Sequence, residues 1–258
     1  MAIHPTAIVD PDADISPDAD IGPYCIIGSG VSVGARTRLV AHVYLEGKLT
    51  IGKENVFYPY CSCGVAPQDK KYKGEPSETR IGNRNSIREF VTIHRGTEGG
   101  GMLTSIGDSN LLMAYVHVAH DVIIHNHAIV ANGVTFAGHV IVDDYANIGG
   151  LSAIHQFCRV GRHAIIGSYS VIKQNVLPYS ITATNHQAEV YGANRIGLER
   201  SGYSADVIEP LQNAFRILTR AGLNTTQALS RIEEELPQTD QVKELLDFIR
   251  SSTGGFIK

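Results

Sequence analysis

Five histidines stand at spacings that matter chemically: His94, His117, His120, His139 and His155, with Asp121 directly after His120 and Gly138 eighteen residues beyond it. Histidine is the side chain best placed to exchange protons near neutral pH. A neighbouring carboxylate can hold an imidazole in one orientation and stabilise its charged form, as in catalytic dyads. A glycine can offer its backbone N–H to a developing oxyanion without steric obstruction. The set suits general-base chemistry, provided that the chain brings it to one place.

The element able to do that is a repeat. An apolar residue recurs every six positions from Ile3 through Val9, Ile15, Ile21, Ile27 and Val33 to Cys63, resumes over Ile81, Ile87 and Ile93, and runs unbroken from Ile106 to Ile172. Two positions before many of these stands a second, smaller residue, as at Ala7, Cys25, Ala128, Ala146 and Ser152. A period of six is neither the helical stripe nor the alternation of a simple strand. It predicts a triangular solenoid, three hexads to a coil, in which stacked coils bury a core that no coil could bury alone. Turn residues near the corners (Gly28, Gly52, Gly82, Asn85, Gly107, Asn110) fit this, and six-residue spacing argues against a β-sandwich.

In such a coil, residues eighteen apart lie one above the other, about 4.8 Å apart if coils pair like strands. Gly138 then stands over His120, and His139 over Asp121. A seven-residue insertion brings the hexad of His94 beneath that of His120. His155 and Gln156 lie one coil higher beside the same corner, and His117 just before it. His125 and His127 read as turn decoration. Zinc is the competing chemistry, because β-helix carbonic anhydrases hold it with three histidines between subunits. The carboxylate next to His120 and the lack of a dedicated ligand pattern favour a base, so no metal is expected.

The chain has 258 residues, 43% hydrophobic and 19% charged, with a net charge of −4, which suits a globular protein and not a nucleic-acid binder. No run reaches transmembrane length and the N-terminus lacks a signal-like pattern, so no integral membrane segment and a cytoplasmic location are expected. Cys25, Cys61, Cys63 and Cys158 all fall on inward positions and read as small buried hydrophobes. The expected organisation is a β-helix over residues 1–190, interrupted by loops near 68–80 and 99–105, then a helical domain over 191–258. The first loop carries Lys70, Lys71 and Lys73 beside Tyr72; the second, rich in glycine, reads as flexible. After Pro178 helical periodicity takes over, with helices expected near 194–200, from Ser204 to about Gly222, and over about 225–236 and 239–252.

The hexads resemble the left-handed parallel β-helix of the hexapeptide-repeat transferases. The left hand comes from that resemblance, since the general crossover rule favours the right. The segments QDKKYKGEPSETRIG, IREFVTIHRGT, DSNLLMAYVHVAHD, FAGHVIVDD and IHQFCRVG, with the ending STGGFIK, resemble the UDP-N-acetylglucosamine O-acyltransferases over essentially the whole chain. That family begins lipid A synthesis in Gram-negative bacteria by moving an R-3-hydroxyacyl chain from acyl carrier protein to the sugar 3-hydroxyl. The resemblance implies His120 as general base, Asp121 as its orienting partner and Gly138 N–H as oxyanion donor. It implies that His94, His117, His139 and His155 line the pocket. Gln68, Asp69 and Lys71 would hold the sugar and diphosphate, and Gln156, Asn194 and Arg200 the nucleotide end. It implies a homotrimer with sites between tubes, acyl carrier protein as thioester donor and partner, and no further cofactor.

Two places refine the expectation. The family often shows adjacent arginines where this chain has Glu199, Arg200 and Ser201, and Ile196 stands where some members carry glutamate, so the phosphate contacts differ. Gly150 and Ser168, one coil apart, stand where the family's acyl chain ends, and imply an intermediate-to-long acyl preference. Arg159, Arg162, Lys173, Arg216 and Arg220 are expected to meet the acidic carrier. Rival readings are an N-acyltransferase on a 3-amino UDP-sugar, the later UDP-acylglucosamine N-acyltransferase, a coenzyme A-dependent acetyl- or succinyltransferase, and a solenoid without catalysis.

Overall fold

The structure is a computed structural model that describes residues 2–184 and 188–258. Between Ala2 and Ile172 the chain forms strands of two to four residues, interrupted by a loop between Val65 and Glu78 and by a short 3₁₀ turn at Glu98–Gly100. These stack into three parallel sheets, and along each sheet successive strands are three elements apart in the chain. That order describes a coil of three faces. The first begins with Ala2–Ile3, the second with Ile8–Val9 and the third with Asp14–Ile15.

The hexad residues point inward. Ile21, Leu39, Phe57, Ile87, Leu112, Val130 and Ile148 form one buried column, whereas Ile3, in the first coil, is left partly exposed. The smaller second column is buried too and holds three of the four cysteines, Cys25, Cys61 and Cys158; Cys63 lies on the hexad beat itself, and all four are free thiols. A ladder of buried asparagines carries the register across both insertions. Asn55 accepts from Asn85 N–H, Asn85 from Asn110 N–H, and Asn110 from Ala128 N–H, at sequence steps of 30, 25 and 18. Each insertion therefore lengthens the step without shifting the faces.

The corners differ from the sequence expectation. Their left-handed positions are held mostly by residues other than glycine, including Tyr24, His42, Tyr60, Phe90 and Tyr115. A non-glycine residue there costs roughly 1–2 kcal/mol. Those five rings stack down one corner with centroids 4.8–5.0 Å apart. Aromatic pairing contributes about 0.5–1.5 kcal/mol per contact and offsets the cost. His127 is likewise no chance decoration, because it stacks on Tyr145, which stacks on His163.

Both loops are shorter than the sequence suggested. Glu78–Ile81 and Leu103–Ile106 are strands of the third face, paired with each other, and Glu78–Ile81 pairs on its other side with Lys48–Ile51. Their alternate burial earns them a place in the tube that their polar and glycine-rich flanks concealed.

Helical structure does not follow Pro178 directly. Ser180–Thr184 pairs in parallel with the last coil and antiparallel with Ala188–Ala193, a hairpin that extends the first face. Four helices come next: α1 (Arg195–Arg200), α2 (Ala205–Arg220), α3 (Thr225–Glu235) and α4 (Asp240–Ser251). Asn194, Asn224 and Thr239 cap α1, α3 and α4 through their side chains. Ile208, Leu211, Phe215 and Leu218 of α2 bury one stripe. The helix α4 is tied to the tube by Glu244, which accepts from Tyr179 and Arg162. No helix among the described residues is long and apolar enough to cross a membrane.

Candidate active site

The corner between the second and third faces gathers the histidines. His117 lies in the strand His117–Val118, and the next strand, Ile123–Ile124, belongs to the third face. His120 and Asp121 form the turn between them. The pairing of Thr92 with His117 and of Ile93 with Val118 places His94 directly beneath, as the spacing predicts.

Nδ1 of His120 lies 2.8 Å from Oδ2 of Asp121, whose side chain is only 1% exposed. Asp121 takes a positive φ of 60°, a conformation that turns its carboxylate back under the imidazole. One coil higher, His139 N–H donates to the His120 carbonyl, and Nδ1 of His139 stands 3.9 Å from Oδ2 of Asp121. Gly138 lies against the His120 ring, and its N–H meets no acceptor among the described residues.

Burial disfavours the charged form of three neighbouring imidazoles, those of His94, His117 and His139. Burial, with His117 and His120 adding to it, pushes His94 down to about 4. Burial lowers His117 too, and its Nδ1 sits 2.7 Å from the Thr92 hydroxyl. His139 is lowered chiefly by burial; the negative charges of Asp121 and Asp69 oppose this in part. Its ring stacks on Phe157 at 4.5 Å. Rings so disfavoured as cations are suited to donate and accept hydrogen bonds around His120.

The first loop approaches the same corner. Asp69 bonds the Lys71 N–H at 2.9 Å, while Gln68 and Lys71 are exposed. Lys71, Lys73, Gly74, Glu75 and Glu98 line a cavity of about 480 Å³. Glu75 accepts from the N–H of Lys73 at 2.8 Å and from that of Glu98 at 3.3 Å, joining the first loop to the second.

Not every expected residue meets the cluster within one chain. His155 and Gln156 are exposed one coil higher. Asn194 is buried, and its amide is used inside the protein: the oxygen caps α1 and the nitrogen donates to the His163 carbonyl at 2.9 Å. Arg200, exposed, ends α1, while Glu199 beside it is paired with Arg195 at 2.7 Å. Gly150 and Ser168 are one coil apart, since Tyr169 N–H donates to the Gly150 carbonyl, but their corner joins the first and second faces and is not the histidine corner.

The expected basic surface is thinner than its residue count. Arg159 is engaged by Asp143 at 3.0 Å, and Arg162 by Asp144 at 2.8 Å and by Glu244 at 3.2 Å. These ion pairs spend charge on holding the last coils and α4 together. Arg216 and Arg220 remain exposed on α2, beside the groove formed with Tyr191, Gly192 and Ala193.

Thr97 escaped the sequence reading, although the step of 25 that pairs Thr92 with His117 puts it at the foot of the same corner. It donates to the Asp121 carboxylate. That carboxylate forms, with His120 and His139, a group whose ligand atoms lie within 4.8 Å of one another, a spacing also compatible with a metal ion. Its oxygens are already occupied by Thr97 and His120, a donor set that suits a proton-holding dyad better.

Known proteins match this chain over its full length. Residues 175–257 match the family model described as UDP N-acetylglucosamine O-acyltransferase, domain 2, and residues 103–138 that of the bacterial transferase hexapeptide. Among solved structures, LpxA from Acinetobacter baumannii is 42% identical with a TM-score of 0.96, covering 100% of both chains. LpxA of Bacteroides fragilis, a UDP-N-acetylglucosamine acyltransferase, is 40% identical with a TM-score of 0.97 over 99% of this chain and 100% of its own. A UDP-N-acetylglucosamine O-acyltransferase of Moraxella catarrhalis is 40% identical with a TM-score of 0.95, again covering 100% of both.

Proposed function

The chain belongs to the UDP-N-acetylglucosamine O-acyltransferase family, with its left-handed β-helix, and from this we propose that it transfers an R-3-hydroxyacyl chain from acyl carrier protein to the 3-hydroxyl of UDP-N-acetylglucosamine, the first step of lipid A synthesis. The observation that carries the site assignment is the His120–Asp121 contact at 2.8 Å with Gly138 against the same ring.

With Nδ1–H donated to Asp121, Nε2 of His120 takes the proton of the sugar hydroxyl. The oxygen attacks the thioester carbonyl carbon, and Gly138 N–H receives the resulting oxyanion. Collapse forms the ester and breaks the C–S bond, and the imidazolium returns its proton to the departing thiolate of the carrier. General-base assistance is worth about 10²–10⁴ in rate. One oxyanion donor contributes about 2.7–4 kcal/mol. His94, His117, His139 and His155 line the sugar and acyl site as hydrogen-bonding groups. Gln68, Asp69 and Lys71 hold the sugar and diphosphate, with Gln156, Arg200 and the α1 end capped by Asn194 at the nucleotide.

The protein works as a homotrimer in the cytoplasm. Gly150 and Ser168, set on a different corner from His120, support a site shared between tubes, where an acyl chain runs from one subunit's base along its neighbour. Light scattering checks the trimer, and a stable active monomer would refute it. A thioester series of graded length checks the intermediate-to-long preference. The defining experiment incubates the protein with UDP-N-acetylglucosamine and R-3-hydroxyacyl carrier protein, beside His120→Ala. Ester formation should fall by at least about 10²-fold in the variant; wild-type turnover would remove His120 from the mechanism.

A further inference from the structure

Asp121 is held by more than the histidine it orients. Thr97, in the turn that opens the second insertion, donates its backbone N–H to Oδ1 at 2.8 Å and its hydroxyl to Oδ2. Oδ2 is also the atom that faces Nδ1 of His120. Thr97 is 6% exposed, so water does not compete for these bonds.

Two donors from one residue, one on each oxygen, fix the plane of a carboxylate. The contact with His120 alone would leave the group free to turn about its Cβ–Cγ bond. Gly100 closes the remaining side: a β-carbon there would fall 1.9 Å from Cγ of Asp121. From behind, the Thr104 hydroxyl accepts the Asp121 N–H at 2.7 Å and satisfies the backbone of this left-handed turn. The second insertion, which composition presents as a flexible glycine loop, is thus a cradle around one buried carboxylate.

We propose that Thr97 is a positioning residue for the acyl transfer, clamping the Asp121 carboxylate so that Oδ2 holds Nδ1 of His120 and Nε2 is kept as the proton acceptor. The inference rests on His120 being the general base. Removing the hydroxyl frees the carboxylate plane, and the imidazolium formed during reaction no longer faces a fixed negative charge.

The test uses the full-length protein and steady-state kinetics across pH, with UDP-N-acetylglucosamine and R-3-hydroxyacyl carrier protein. Thr97→Val deletes only the hydroxyl and keeps the side-chain volume. It should lower kcat by at least about tenfold, the scale on which supporting hydrogen bonds act. The KM for the sugar nucleotide should stay within about twofold, and the acidic limb of kcat/KM should move to lower pH. Thr97→Ser should restore both rate and limb, and Gly100→Ala should behave as Thr97→Val does. A Thr97→Val enzyme with unchanged rate and pH profile would overturn the proposal. So would a lowered rate with an unmoved limb, which marks a merely structural loss. Full activity in His120→Ala would instead defeat the underlying site assignment, so the two failures are distinguishable.

Discussion

The imidazoles of His94 and His117 meet edge to face with centroids 4.8 Å apart, and Nδ1 of His94 is buried without a hydrogen-bond partner among the described residues. A ring so placed cannot take a proton without stranding charge between two other imidazoles, which is why burial depresses it to about 4. His163, pressed between Tyr145 and Tyr179, is held down to about 4 by burial as well.

Acid should therefore destabilise the fold as the unfolded chain takes up protons that these two buried rings resist. Both groups have folded values below the unfolded histidine value of about 6.5. Their stabilising contribution is complete above that value and is lost as pH falls from about 6.5 toward 4, because the unfolded chain binds the protons. Urea unfolding at pH 7 and pH 4.5 reads this loss. His94→Gln should flatten the slope between the two; an unchanged slope would show that His94 does not carry it.

Gly138 has no room for a side chain. A β-carbon would meet Cε1 of His120 at 2.5 Å and Nε2 at 2.8 Å, the edge of the ring that must receive the hydroxyl proton. Gly138→Ala should push the imidazole off Asp121 and lower kcat by about 10²-fold or more, comparable with losing an oxyanion donor. The melting temperature should change little, because the corner faces outward. Wild-type kcat in this variant would show that the ring can move aside and still act.

Charge reversal separates the two kinds of arginine. Arg216→Glu with Arg220→Glu removes two exposed cations that pair with no carboxylate among the described residues and should raise KM for acyl carrier protein, with a steeper effect at low salt. Arg162→Glu instead places a carboxylate beside Asp144 and Glu244 and should lower the melting temperature. If the α2 pair leaves the carrier KM unchanged, the carrier docks elsewhere.

Much of the site was legible in the letters because a coil advances by a constant step. His120, Asp121, Gly138 and His139 could be placed together by counting, and the insertions changed the step without breaking it. The same regularity put the four cysteines inside. Counting failed where an element left the rhythm: the paired strands Ser180–Thr184 and Ala188–Ala193, and the strand ends hidden in the two loops.

The sequence alone settled which backbone positions stack, since the apolar hexads admit one register that buries them. It could not settle what each side chain does once there. Thr97 clamping Asp121, Arg162 reaching Glu244 eighty-two residues away, and Asn194 turning inward to cap α1 depend on neighbours that no repeat encodes. Only the folded chain decides them, because burial removes water as the alternative partner and each polar group must take whichever donor or acceptor the packing leaves within reach.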